Sequence, residues 1–242
     1  MLQAIERTGA VTMPQPVVAV GSRYNGPPGM GNGGFTAGIL SRFFSGPVEV
    51  TIRRPVPLDR PLAIHEKPEH VGLWQEYALI ASVRPVVVDI AVPAPVSFEA
   101  AERASRASRL HHDHVYPNCF VCGTARADGL DVVPGAVEGR TGIIAAHWTP
   151  RAEFAEAGVI APEFVWGALD CPGGIATVYD DPRSIVLGRI AGEVIAPVVP
   201  GERYVVLGWR AGQSGRKHFA GSAIYGDGGS LVARAAATWF EV

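Results

Sequence analysis

The chain carries a second copy of its most constrained stretch, and any fold must accommodate both. The first copy is Asn32-Gly33-Gly34-Phe35-Thr36-Ala37-Gly38-Ile39-Leu40-Ser41. The second is Ala161-Pro162-Glu163-Phe164-Val165-Trp166-Gly167-Ala168-Leu169-Asp170. Phe35 matches Phe164, Gly38 matches Gly167 and Leu40 matches Leu169, all at an offset of 129. Further on, Arg53-Arg54-Pro55-Val56 matches Ile195-Ala196-Pro197-Val198, and Ala94 to Glu99 matches Ala236 to Glu241, both at an offset of 142. The shared offset predicts that the halves align without gaps between those matches. The difference of 13 residues predicts an insertion after the second helix. It holds Pro172-Gly173-Gly174 and Asp180-Asp181-Pro182, which read as loop. The period is too long for a solenoid and fits a duplicated domain. The units are read as residues 1–98 and 117–242, joined by a linker over 99–116.

Asn25-Gly26-Pro27-Pro28-Gly29-Met30-Gly31 is a tight loop, because its glycines and prolines break regular structure. The apolar, small-residue run after it reads as a buried helix near 33–45. The first N–H groups of a helix lack intrahelical acceptors, and the helix dipole adds partial positive charge there. Glycines bring those groups within reach of a ligand, since no Cβ shields them. That arrangement suits a carbonyl oxygen becoming an oxyanion. A glycine turn before a core helix would look the same in isolation.

Strand candidates follow at Val48 to Arg53, Leu62 to Glu66, Leu73 to Val83 and Val86 to Val92, the last two read as a hairpin turning near Arg84-Pro85. Pro16 to Val20 is an earlier strand. The second unit repeats the plan, with strands at 142–148, 184–194, 204–212, 218–225 and 231–240, and a helix near 162–172. Asp227-Gly228-Gly229 supplies a hairpin turn. A helix followed by antiparallel strands is an α+β unit. Glu99 to Arg109 is polar and alanine-rich, as befits a surface linker.

A hydrophobic share of 48% with 18% charged residues implies a large core. A net charge of −2 offers no electrostatic footprint for nucleic acid. No apolar run reaches the ~20 residues of a membrane span. Met1 to Arg7 does not read as a signal peptide. Three cysteines do not make a disulfide scaffold, and a reduced cytoplasmic setting is the simplest inference. Cys119-Phe120-Val121-Cys122 offers two zinc ligands, and His114 one more, but no second pair exists. The motif is therefore read as a packed turn with reduced thiols and no metal.

A helix wrapped by an antiparallel sheet, twice in one chain, resembles the double hotdog fold. Cys119-Phe120-Val121-Cys122-Gly123 with Gly129-Leu130 looks like the opening of single-domain hotdog thioesterases of the phenylacetate-pathway type. The chain as a whole resembles double-hotdog acyl-CoA thioesterase II. In the single-domain family a His-Gly-Gly opens the central helix and an acid lies nine positions after the His. Here Asn32-Gly33-Gly34 resembles the glycine turn, with Ser41 where the acid belongs. Asp170 resembles the acid, with Ala161-Pro162-Glu163 where the turn belongs. Each half keeps what the other has lost. Acyl-CoA thioesterase II adds a polar Thr or Ser and a Gln to the acid. Val232 to Ala237, where the Gln would be sought, has none.

The resemblance implies hydrolysis of an acyl-CoA, in fatty acid metabolism, at one composite site between the units. Gly33 and Gly34 would supply the oxyanion hole, Asn32 would orient the loop or add a side-chain donor, and Asp170 would act as general base or nucleophile. Burial among Trp166, Leu169 and Cys171 should raise the Asp170 pKa. A competing reading pairs Asp170 with an arginine such as Arg189. Thr36, Ser41 and Cys171 read as packing residues. Phe35, Ile39, Phe164 and Trp166 are candidate acyl lining, and Arg53, Arg54 and Arg60 candidate partners of the CoA phosphates. No cofactor is expected beyond CoA as part of the substrate. A dimer or higher assembly of the double hotdog is expected, with a monomer as the alternative, since fusion already supplies the usual pairing. A non-catalytic acyl-thioester-binding or assembly protein and an enoyl-CoA hydratase or dehydratase are the other readings. Gly34→Pro is expected to leave the fold intact, since proline is tolerated in the first turn of a helix.

Overall fold

The computed structural model describes residues 16–242. The Met1 to Arg7 segment, judged above for a signal peptide, lies outside the described residues. The strands are β1 (Val17–Val18), β2 (Val48–Ile52), β3 (Leu62–Lys67), β4 (His70–Gln75), β5 (Ala78–Pro85), β6 (Gly135–Ala136), β7 (Ile143–Trp148), β8 (Ala155–Glu156), β9 (Val159–Ile160), β10 (Ile185–Val194), β11 (Tyr204–Ser214), β12 (Lys217–Gly226) and β13 (Leu231–Glu241). The helices are α1 (Gly33–Ser41), α2 (Phe98–Arg106) and α3 (Pro162–Val178). Among the described residues, no helix is long and apolar enough to cross a membrane.

Eleven strands form one sheet in the order β1-β3-β4-β5-β2-β10-β13-β12-β11-β7-β6. The order reads alike from its middle in both directions, so β2 corresponds to β10, β5 to β13, β4 to β12 and β3 to β11. The halves meet edge to edge where β2 pairs antiparallel with β10, Val50 opposite Ile190. Each half thereby gives its neighbour the partner that an open edge strand lacks. The fold is a double hotdog, α+β, with α1 and α3 against one face of the continuous sheet.

Three sequence expectations change. Topology sets β5 against β13, yet an offset of 142 would set it against β12, so the ungapped alignment fails beyond β3 and β11. The second unit's strands are longer. Phe98 begins a helix while its supposed match Phe240 is in β13. The hairpin of the first unit turns at Glu76 and Tyr77, not near Arg84-Pro85. Val86 to Val92 forms no strand: it crosses the outer face of the second half-sheet, where Ile90 and Val92 pack beside Trp209 and Tyr225. Just beyond it the Tyr225 hydroxyl donates to the Pro93 carbonyl and ties the chain to that face. The linker then forms α2, capped by Ser97, with Ala101 and Ala104 against that face.

The third change concerns α3. It runs through Pro172-Gly173-Gly174 to Val178, so much of the presumed loop insertion is helix. Pro172 removes one helical hydrogen bond. Close packing favours the helix anyway. A Cβ on Gly174 would come 2.6 Å from the Trp239 ring, and one on Gly208 in β11 would come 2.1 Å from the Pro172 carbonyl oxygen. Helix and sheet approach this closely because one side of each contact, Gly174 on the helix and Gly208 on the sheet, lacks a side chain.

The same logic sets α1 on α3. A Cβ on Gly38 would fall 2.2 Å from Glu163 Cα, and one on Gly34 2.4 Å from Asp170 Cβ. Gly34 and Gly38 are one turn apart and share a helix face. The pairing of 34 with 170 and 38 with 163 makes the helices antiparallel. Gly34→Pro therefore cannot keep this fold as expected from sequence: its ring would occupy the space of α3. Gly38→Ala is expected to cost about 1–3 kcal/mol, the usual range for overpacking. Denaturant unfolding checks this, and an unchanged midpoint would mean that the helices do not touch at Gly38.

Candidate active site

The N-terminus of α1 is built by Asn32. Its side chain accepts the Phe35 N–H at 2.8 Å, which is the N-cap arrangement. Its backbone carbonyl takes the Thr36 N–H and the Thr36 hydroxyl. The Gly34 N–H donates to Asp170 Oδ2 at 2.8 Å. Among the described residues, only the Gly33 amide of this first turn has no acceptor. The glycine turn of one unit and the acid of the other are thus joined by a direct hydrogen bond, not separated by a pocket.

Asp170 is 1% exposed, and its Oδ1 has no partner among the described residues. Burial pushes its carboxyl up to about 8, against the opposing pull of the Gly34 N–H and Asn32. Among the described residues no arginine pairs with it. Arg189 lies on β10 and pairs with Glu49 at 3.8 Å. The equivalent place in the other half is dismantled. Ser41 turns its hydroxyl onto the Gly38 carbonyl at 2.8 Å, and Glu163 pairs with Arg42 at 2.7 Å.

A cavity of about 580 Å³ opens beside this helix end. Asn32 and Gly33 lie in its wall, together with Cys119, Cys122 and Cys171. Asp170 lies behind that wall, since its neighbours Asn32 and Cys171 line the cavity and it does not. Apolar lining comes from Ile52, Ile175, Val178, Leu187 and Trp239. Arg53 and Arg54 also line it and are exposed. Among the described residues neither has a carboxylate partner, whereas Arg109 and Arg183 on the same wall do. Arg60 is not in the wall.

The predicted acyl-lining residues lie elsewhere. Phe35 stacks on Tyr24 at 4.1 Å and meets Phe164 edge-on at 5.6 Å. Phe164 and Trp166 are buried core, and Ile39 packs against that core. None of the four reaches the cavity, because the glycine face of α1 is turned to α3 and the aromatic face to the loop around Phe120. Ile175 and Val178 were missed because their segment reads as loop. Their i, i+3 spacing is the available signal.

His114 also lines the cavity. Its Nδ1 accepts the Tyr116 N–H at 3.1 Å, so its Nε2 carries the proton and donates to the Cys122 carbonyl at 3.0 Å. Burial lowers its pKa, which fits the neutral ring. Both nitrogens are engaged, so His114 is neither a general base nor a ready metal ligand.

No protein-family model matches the sequence, and no curated protein matches it. Solved structures do resemble it, and they define the class as hotdog-fold proteins. The tesB protein of Mycobacterium avium subsp. paratuberculosis is 14% identical, with a TM-score of 0.59 over 93% of this chain and 92% of that one. Acyl-CoA thioesterase II TesB2 of Mycobacterium marinum is 11% identical, with a TM-score of 0.57 over 86% and 90%. A protein of unknown function with a hot dog fold from Alicyclobacillus acidocaldarius is 10% identical, with a TM-score of 0.53 over 93% and 92%. Likeness at this level of identity is a likeness of fold.

A buried carboxyl without a cation is a cost to stability. Asp170→Asn keeps an acceptor for the Gly34 N–H and removes a buried carboxyl that ionises only near pH 8. It is expected to leave the fold intact and gain about 1 kcal/mol, or about 2–4 °C in Tm for a chain of this size. A fall in Tm on calorimetry would mean that Asp170 is held by a cationic group.

Proposed function

We propose that the chain hydrolyses an acyl-CoA thioester at one composite site, where the α1 N-terminus of the first unit meets α3 of the second. The observation that carries this reading is the Gly34–Asp170 hydrogen bond between the units beside an apolar cavity. The thioester carbonyl oxygen would sit at the free Gly33 N–H, at the positive end of α1. Negative charge developing on that oxygen would be stabilised there more than in the ground state. Asp170 Oδ1 would accept a proton from the attacking water. The C–S bond then breaks, and the sulfur leaves with that proton as the CoA thiol, while the acyl group becomes the acid. The acyl chain would follow the wall of Ile52, Ile175 and Leu187. The guanidiniums of Arg53 and Arg54 suit the CoA phosphates. The proteins named tesB and acyl-CoA thioesterase II that share the fold support the same chemistry.

A second reading is favoured by one observation. Asp170 lies behind the cavity wall with its Oδ2 already bonded to Gly34. A chain that binds acyl thioesters without cleaving them would have such a site.

Release of free CoA thiol over a series of acyl-CoA chain lengths separates the readings. Gly33→Pro should lower kcat by about 10²–10³, the loss seen when one oxyanion donor is removed. Proline suits this first helical position. Gly33→Ala, which keeps the N–H, controls for added bulk against Leu187. Asp170→Asn should lower kcat far more than it changes KM. Ser41→Ala should leave both unchanged. Binding of acyl-CoA with no thiol release at any length would favour the second reading, and full turnover in Asp170→Asn would remove Asp170 from the mechanism.

A further inference from the structure

Cys119, Cys122 and Cys171 are brought together although Cys171 lies far from the other two in sequence. Their Sγ atoms all lie within 4.8 Å of one another, and Cys119 and Cys171 are 3.7 Å apart. Zn–S bonds of about 2.3 Å at tetrahedral angles place neighbouring sulfurs about 3.8 Å apart. The cluster is thus already near the spacing of three corners of such a site. All three residues line the cavity wall.

Asn32 Nδ2 points its hydrogens at Cys119 Sγ and Cys171 Sγ, at 3.8 and 3.9 Å. The turn itself is fixed. The Gly123 N–H donates to the Cys119 carbonyl at 2.8 Å, and a Cβ on Gly123 would come 2.4 Å from that oxygen. Cys171 sits on α3, so one ligand comes from a helix and two from a turn docked on the α1 entry loop, where the Phe120 N–H donates to Asn25 O.

We propose that Cys119, Cys122 and Cys171 form a three-thiolate site for a soft tetrahedral cation, Zn²⁺, with its fourth position open to the cavity. This reverses the sequence expectation of free thiols, which rested on the lack of further ligands. It stands independently of the hydrolysis reading. Each S–H gives its proton to solvent as an S–Zn bond forms, and no electrons are transferred. Three thiolates and one Zn²⁺ leave a single negative charge, which the Asn32 amide hydrogens partly offset. Outer hydrogen bonds of this kind orient ligands and tune affinity.

The test uses the full chain, untagged and purified without chelator under reducing conditions. Elemental analysis should give one zinc per chain, released as an organomercurial modifies three thiols. Replacement by equimolar Co²⁺ should give a thiolate-to-cobalt charge-transfer band and tetrahedral ligand-field bands. Cys171→Ser should weaken the charge-transfer band by about a third, since one of the three thiolates is lost. Asn32→Ala should keep that band but weaken affinity by about 10–100-fold, as loss of such outer contacts does. Should a variant fail to fold, the wild-type zinc-to-thiol release ratio still decides. No binding of equimolar Zn²⁺ or Co²⁺ would overturn the proposal. So would a cobalt spectrum unchanged by Cys171→Ser, or a disulfide among the three in fresh protein.

Discussion

Everything at the centre of this protein depends on how closely α1 approaches α3. Gly34 and Gly38 strip one face of α1 to backbone, and α3 fills the space with Glu163, Trp166 and Asp170. A Cβ at either glycine would push the helices apart. At the resulting distance the Gly34 N–H and the Asp170 carboxylate are within a single hydrogen bond. The contact that packs the two units is therefore also the contact that assembles the candidate site. Glycine here serves the approach of backbone to protein at position 34 and leaves an amide for a ligand only at position 33.

The duplicated plan has room for two such arrangements, and only one has a carboxyl against a glycine turn. The pseudo-symmetric position holds Ser41 and Glu163, and both have been turned to other uses. Ser41 bonds its own helix and Glu163 anchors Arg42 at the surface. A carboxyl as deeply buried as Asp170, without a cation, is a poor choice for packing alone. Its retention in one half beside a retained glycine turn in the other is what a single shared site would require.

The cavity takes its shape from three places far apart in sequence. The α1 entry loop and Arg53-Arg54 come from the first unit, the cysteine turn from the start of the second, and Ile175 and Val178 from the last turns of α3. The cysteine turn is held there by the Phe120 N–H, which donates to the Asn25 carbonyl, by the Asn25 side-chain amide, which donates to the Asn118 carbonyl, and by Arg126, which donates to Asn25 Oδ1 and to the Arg23 carbonyl. That docking brings Cys119 to Cys171 and gives Asn32 two sulfur neighbours. A cap residue of α1 thus links the helix end, the thiol cluster and the cavity.

The pairing of Gly33-Gly34 with Asp170 followed from the resemblance to hotdog thioesterases, while local pattern alone was enough for the duplicated helix–sheet plan and the two central helices. Those features rest on spacing along one chain, and spacing survives in sequence. The segment 86–92 looks like a strand because most of its side chains are β-branched, but it lies across the outer face of the second half-sheet and packs there instead of pairing. Pro172-Gly173-Gly174 looks like a loop because it disfavours helix locally, yet the sheet surface of Gly208 and Trp239 rewards a helix that is bare there. Phe35 and Trp166 look like pocket lining because they are apolar, but which way a helix face turns depends on its partner. The gathering of Cys171 with Cys119 and Cys122 has no signal in spacing. Tertiary structure alone decided it, because two segments of unrelated local pattern meet only when α3 lies against the turn that docks on α1.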